Sequence, residues 1–361
     1  MKKILALVLA LVMALGMAAC SPVAGETPAT EEGAAAVTPE AAPEAAPAGK
    51  KVALIVNGTF GDEGNYDAMR AGITKAAEEF GLEASFYEQP EAGLLEESIR
   101  SFAQEGYNLI IGCFASMAPA LDKVAGEFPD VEFACNYAAG YVFENDNVTP
   151  YDYACYEAMY VIGTMAGLVT ESNKIGDILG GEDGINLANA NAFLAGARSV
   201  NPDAEALVRN GNTFTDAAKV KEIASSLFSE GADVIYSDCG GGTFGAIEAA
   251  VEAGKYCSGD AMDHSSYAPG NHLIDTMISF NGGAYNICAM FVNGELDGQP
   301  HFANYANGGI GTTKNKDFAE NCADPELAAN MEEYWAIIED LEAKITSGEV
   351  VPPNDSTNNW F

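Results

Sequence analysis

The residues of this chain best suited to chemistry are aromatic rings and carboxylates set in glycine-containing loops. Asn57, Phe60, Asp62 and Tyr66 lie in or beside a loop with three Gly, and Phe114 and Ser116 sit in a turn after an apolar run. Phe214 precedes a helical pattern, Gly241 and Phe244 belong to Gly240-Gly241-Gly242-Thr243-Phe244, and Asp260 and Asp263 follow a later apolar run. Aromatic faces stack on flat rings. Carboxylates accept hydroxyl protons, and glycine lets backbone N–H groups come close to a ligand. That is the chemistry of holding a small solute, with no bond made or broken. Plainer roles stay open. Phe60 and Phe244 also read as caps on a core, Phe214 as the anchor of its helix start, and Asp62 as a helix N-cap. The glycine triplet also reads as a flexible turn, and Asp216 as an N-cap ahead of Ala217, with Thr215 as its rival.

Other chemistries find little support. His264, His272 and His301 lack metal-ligand spacing, so no metal and no cofactor is expected. Beyond Cys20 there are seven cysteines, Cys113, Cys135, Cys155, Cys239, Cys257, Cys288 and Cys322, with no C-x-x-C pair. They read as small buried hydrophobes. G-x-S-x-G, H-E-x-x-H, Walker A and G-x-G-x-x-G are absent, so no enzyme class is indicated. The balance of 17 Lys+Arg against 53 Asp+Glu gives a charge of −36 and argues against nucleic acid as a partner. It argues equally against an anionic membrane surface. No run of apolar residues after residue 20 is long enough to span a bilayer.

The elements that must position these residues alternate between strand and helix, twice over. Strands are predicted at 51–56, 82–87, 108–114 and 131–136, with helices at about 66–80, 94–105 and 119–128. The pattern restarts with helices at 156–169, 190–200, 216–230 and 246–253 and strands at 174–179, 204–209, 233–238 and 255–259. Continuous apolar strands between helices indicate parallel sheets covered on both faces. The halves also echo each other: Phe102–Ile111 parallels Leu227–Tyr236, a helix stopped at Gly before a buried strand. The fold class is therefore α/β, with two similar lobes and a cleft between them. Ligands in such sheets bind beyond the carboxyl ends of the strands. The loops to watch are 57–66, 114–118, 136–141, 180–191, 210–215, 239–244 and 260–267.

The chain begins like an exported lipoprotein. Lys2 and Lys3 precede an apolar run ending Leu15-Gly16-Met17-Ala18-Ala19-Cys20. Residues 1–19 are expected to be a signal peptide and Cys20 the lipidated first residue. Ser21–Gly49 holds five Pro, five Glu and ten Ala with no Lys or Arg, so 20–49 is read as a disordered acidic tether.

Several strings, in order, resemble the basic membrane protein (PnrA-like) family of bacterial ABC-transporter substrate-binding lipoproteins. They include Phe193-Leu194-Ala195-Gly196, Val200-Asn201-Pro202-Asp203, Thr213-Phe214-Thr215-Asp216, Gly231-Ala232-Asp233-Val234-Ile235-Tyr236, Asn307-Gly308-Gly309-Ile310-Gly311 and Lys344-Ile345-Thr346-Ser347-Gly348-Glu349. The resemblance implies a type I periplasmic-binding-protein fold of two Rossmann-like lobes with strand order 2-1-3-4-5, three interlobe crossovers and a purine nucleoside as ligand. At the family's Asp-Ser-Phe-Asn site this chain keeps Asp62, followed by Gly64-Asn65-Tyr66 with the aromatic displaced. Asp260-Ala261-Met262-Asp263-His264 keeps Asp263 of a paired-Asp segment, and the family's Lys position is Ile278.

The expected function is an extracytoplasmic, lipid-anchored solute-binding protein of an ABC importer. It would be a monomer that closes two lobes on its ligand, serves membrane permease subunits, and meets the membrane only through its anchor. The alternatives are a sensor lipoprotein of the same fold, a binder of a sugar-like ligand, and an extracytoplasmic enzyme with Asp62 or Asp263 as base. The first lobe is expected at 51–152 plus 280–303 and the second at 153–279 plus 304–320. A C-terminal helix over 325–347 should pack on the body.

Overall fold

The computed structural model describes residues 49–61 and 64–357. The signal peptide, Cys20, most of the tether and Asp62 lie outside the described residues. From Lys51 the chain runs β1 (Lys51–Val56), α1 (Asn65–Phe80), β2 (Glu83–Glu88), α2 (Leu95–Gln104), β3 (Leu109–Cys113), α3 (Ala118–Ala125), β4 (Glu132–Asn136) and β5 (Val148–Tyr153). It continues with α4 (Cys155–Val169), β6 (Lys174–Leu179), α5 (Gly184–Val200), β7 (Glu205–Asn210), α6 (Ala217–Ser229), β8 (Val234–Asp238), α7 (Thr243–Ala253), β9 (Tyr256–Gly259) and β10 (His272–Ile278). Then come α8 (Phe280–Asn293), β11 (His301–Ala303), β12 (Ile310–Lys314), α9 (Phe318–Asn321) and α10 (Pro325–Thr346).

Two six-stranded sheets result, β2-β1-β3-β4-β5-β11 and β7-β6-β8-β9-β10-β12. All pairings are parallel except β10 with β12. Both sheets keep the order 2-1-3-4-5 before adding a sixth strand. The α/β class with two parallel sheets is therefore as the apolar runs foretell, because strands buried on both faces must be apolar throughout. The chain passes from the first sheet to the second between β5 and α4, returns between β10 and α8, and crosses again between β11 and β12.

Local chemistry sets the ends of these elements. Asp183 accepts hydrogen bonds from the Ile185 and Asn186 amides, so α5 starts at Gly184, six residues before the expected start. Asp216, not Thr215, caps α6 by accepting from the Lys219 amide. β5 escapes the sequence reading because Pro150 argues against a strand, yet Pro150 pairs opposite Cys135 of β4. α10 packs on α4 of the second lobe, burying Leu327, Met331, Ile338 and Ile345 with Met159, Ile162 and Met165. Lys314 of β12 pairs with Glu342 of α10 at 2.5 Å.

α4 and α5 touch through paired glycines. A Cβ at Gly196 would overlap the Tyr160 carbonyl oxygen, and one at Gly163 the Phe193 carbonyl oxygen. The two helices would have to separate to admit a methyl group. Gly196→Ala is expected to cost about 3 kcal/mol in urea unfolding, the upper range for overpacking. Gly93→Ala, where a Cβ meets nothing within 4 Å, should cost almost nothing. Equal stabilities of the two variants would refute this reading of the helix contact.

Candidate functional site

Aromatic side chains gather at the carboxyl end of the first sheet. Phe114 follows β3, Tyr137 follows β4, Tyr153 ends β5 and Phe280 opens α8. Phe114 lies 5.8 Å from Tyr66, 6.2 Å from Tyr137 and 5.8 Å from Phe280, ring centre to ring centre. Tyr153 lies 5.7 Å from Tyr137 and 5.2 Å from Phe280. All these contacts are edge-to-face, which ring quadrupoles favour.

The backbone beneath this wall is strained. Phe114, Tyr137 and Ala139 have φ of 65°, 71° and 53°. A side chain in the left-handed region is costly, so the surroundings must hold it there. The holding group at Ala139 is the buried carboxylate of Asp152 on β5, which accepts from the Ala139 amide at 2.8 Å and the Gly140 amide at 3.1 Å. Asn212 and Ala261, in loops of the second lobe, also have positive φ, at 47° and 62°.

Carboxylates gather at the carboxyl end of the second sheet. Asp177 is on β6, Asp183 caps α5, Asp238 ends β8 and Asp260 follows β9. Withdrawal from water, then the nearby Asp260, Asp177 and Asp183, push the Asp238 carboxyl well above the usual range. Asp260 is raised by burial too, against the pull of the Thr243 hydroxyl that donates to it at 3.0 Å. Burial alone raises Asp177 to about 8. Neither of its carboxyl oxygens has a hydrogen-bond partner.

Tyr137 of the aromatic wall comes close to Asp238 and Asp183 of the carboxylate wall. The Tyr137 hydroxyl is raised well above its usual value, first by burial and then by Cys155, Asp238, Asp183 and Asp152. Two of those carboxylates belong to the second sheet's end and Tyr137 to the first. Tyr153, Cys155, Ile185, Asn189 and Phe302 help to line a cavity of about 220 Å³, to which Asn354 and Ser356 of the C-terminal segment also contribute.

The expected site residues fall into three groups. Tyr66 and Phe114 sit in the aromatic wall, and Asp260 in the carboxylate wall. Phe214 is 52% exposed, lies against Gly180, and has its carbonyl beside Gly240, Gly241 and Gly242, so it stands at the rim of the second lobe. The others are engaged elsewhere. Asn57 donates to the Gln89 carbonyl, and Phe60 packs on Phe86 and Arg70 toward the sheet edge. Ser116 is exposed, Phe244 packs on His264 and Tyr267, and the exposed Asp263 accepts from the Ser265 amide.

Tyr137, Asp238, Asp183 and Phe280 escape the sequence reading. One signal was present: each lies in or next to a loop that follows a strand, where ligands of parallel sheets sit. Nothing local marks Asp238 apart from other strand-end carboxylates.

Residues 49–346 match the family model described as ABC transporter substrate-binding protein PnrA-like. A purine-binding protein of Brucella abortus is 31% identical over 308 residues, covering 84% of this chain and 82% of that one. A CD4+ T-cell-stimulating antigen of Listeria monocytogenes is 33% identical over 145 residues, so the chain spans only 40% of that relative's length, with 40% of its own. Among solved structures, a solute-binding protein of an ABC transporter system from Aeropyrum pernix aligns with a TM-score of 0.65 at 22% identity, over 85% of this chain and 94% of that one. At that identity the likeness is one of fold.

Proposed function

Because this chain belongs to the PnrA-like family of ABC transporter substrate-binding proteins, we propose that it holds a purine nucleoside between its lobes and hands it to membrane permease subunits. The observation that carries this reading is the approach of Tyr137, in an aromatic cluster with Phe114, to Asp238 and Asp183, in a carboxylate cluster with Asp260. A purine ring is flat and stacks on aromatic side chains, which is worth about 1–3 kcal/mol per base in nucleic-acid binders. A ribose offers hydroxyl donors, which carboxylates accept. Tyr66, Phe114, Tyr137 and Phe214 supply the ring faces in this reading, and Asp183, Asp238 and Asp260 the acceptors.

The ligand touches both lobes, so it stabilises the closed arrangement relative to the open one, which is the differential affinity a hinge motion needs. The three crossing segments after β5, β10 and β11 are where the chain can bend. The lobes are taken as 51–152 with 280–303 and 153–279 with 304–320. The family's location is extracytoplasmic, and the lipidated Cys20 and its tether would hold the body at the outer face of the cell membrane. The chain acts as a binder and not as an enzyme.

The test is a thermal-shift and calorimetric panel of purine nucleosides, pyrimidine nucleosides, free bases, pentoses and hexoses. Purine nucleosides are expected to raise the melting temperature most. At a ligand concentration of 100 times Kd the stabilisation is about 2.7 kcal/mol. A rise with a sugar alone, or with none of the panel, would refute the nucleoside reading.

A further inference from the structure

Beside the cleft, in the second lobe, lies a cluster that the binding role does not use. His264 follows β9, while His272 and Asp275 are both on β10, and all three side chains are wholly buried. Residues three apart on a strand normally point to opposite faces. Here the β9–β10 pairing loses its register between His272 and Asp275, and both turn to the same side. That break is why the spacing in sequence shows no ligand pattern. Gly259 makes the room: a Cβ there would stand 2.8 Å from Asp275 Oδ1 and 3.0 Å from His264 Nδ1.

His264 Nδ1 and His272 Nε2 each approach Asp275 Oδ1 to 2.8 Å, and the candidate ligand atoms of the three residues lie within 4.8 Å of one another. The His264 contact is a hydrogen bond, and the His264 amide also donates to Asp275 Oδ2. The His272 contact has the distance of a hydrogen bond without the direction of one, and His272 Nε2 is left with no hydrogen-bond partner. In the tautomer that carries its proton on Nδ1, His272 Nε2 and Asp275 Oδ1 are two lone-pair atoms 2.8 Å apart, and a cation shared between them removes the repulsion. Hydrogen bonds need alignment, whereas atoms that converge on a shared cation need not point at each other. Cys257 Sγ, 3.5 Å from His272 Nδ1, steadies the ring from its far side, as outer partners of metal-bound imidazoles do.

We propose that His264, His272 and Asp275 form a structural site for a divalent cation of the zinc class. Two imidazoles and a carboxylate supply three of four positions in the ligand set that zinc takes. Its place defines its role. His264 belongs to the loop that follows Asp260, and Phe244 and Tyr267 pack on its ring at 5.3 and 6.4 Å. A bound ion would pin that loop from behind and fix the second lobe's carboxylate wall.

The test is made on the purified full chain, stripped of metal and equilibrated with Zn2+ or Co2+. One zinc per chain is expected, with a rise in melting temperature of several degrees. Co2+ should show the visible bands of a four-coordinate site without a sulfur-to-cobalt charge-transfer band. His264→Gln and His272→Gln should each lose the ion, while His301→Gln, on the surface pair with Asp297, should keep it. The unmodified chain answers even if the variants fold poorly. A chain that binds no stoichiometric metal overturns the site, as does a hydrated-cobalt spectrum or a thiolate band. So does a His264→Gln, His272→Gln double variant that retains the ion. The nucleoside panel is read separately on metal-free protein, so the two readings fail independently.

Discussion

The Asp177→Asn variant is expected to gain stability over the wild type by an amount that widens by about 5 kcal/mol between pH 4 and pH 8. Asp177 is fully buried on β6 with both carboxyl oxygens unpartnered, and burial lifts its pKa from 3.8 to about 8. A shift of one unit corresponds to about 1.4 kcal/mol. The sign follows from linkage. The folded pKa lies above the unfolded one, so the folded chain binds the extra proton throughout that window. Wild-type stability therefore declines as pH rises from the unfolded value to the folded one, and is level above it. Asparagine has the same shape and no charge to desolvate, so its contribution does not change with pH. Urea unfolding of both proteins at pH 4, 6 and 8 reads the gap directly. A gap that stays constant would mean that Asp177 remains hydrated or paired in solution.

Asp238→Asn should weaken nucleoside binding about 100-fold, whereas Asp263→Asn should leave it within a factor of two. A hydrogen bond to a charged group contributes about 1.5–3 kcal/mol, and Asp238 faces Tyr137 across the cleft while Asp263 is engaged with its own loop. Binding should also be pH-dependent. In the free protein, burial and then the carboxyls of Asp260, Asp177 and Asp183 keep the Asp238 pKa raised. Hydroxyl donors favour the carboxylate form and lower the pKa in the complex. Between the two values the free protein carries the extra proton, so binding releases it and Kd falls as pH rises. Calorimetry in buffers of different ionisation enthalpy counts the proton. A proton taken up on binding, or an Asp238→Asn variant with unchanged Kd, would remove Asp238 from the site.

Most of the strand and helix pattern was legible because it is local. Val52–Val56 and Leu109–Cys113 are continuous apolar runs, and such runs form strands only where both faces are covered. Helix ends marked by glycine were legible too, as at Gly81, whose φ of 71° a side chain would resist. β5 was not, because Pro150 reads as a breaker until β4 and β11 are in place on either side.

The site divides along the same line. Tyr66, Phe114 and Asp260 could be named from residue type and from their place in loops after strands. Tyr137, Asp238 and Asp183 could not, since each has an ordinary local role as a loop, strand-end or cap residue. What joins them is the approach of two sheet ends more than forty residues apart in sequence, which no local pattern encodes. The His264–His272–Asp275 cluster makes the point most sharply. Its geometry depends on a break in the β9–β10 register, and register is decided by packing against the rest of the sheet. The order of apolar runs by itself determined two doubly covered parallel sheets with a cleft. Which charges and rings meet in that cleft was decided only when the tertiary fold removed them from water and placed them against each other.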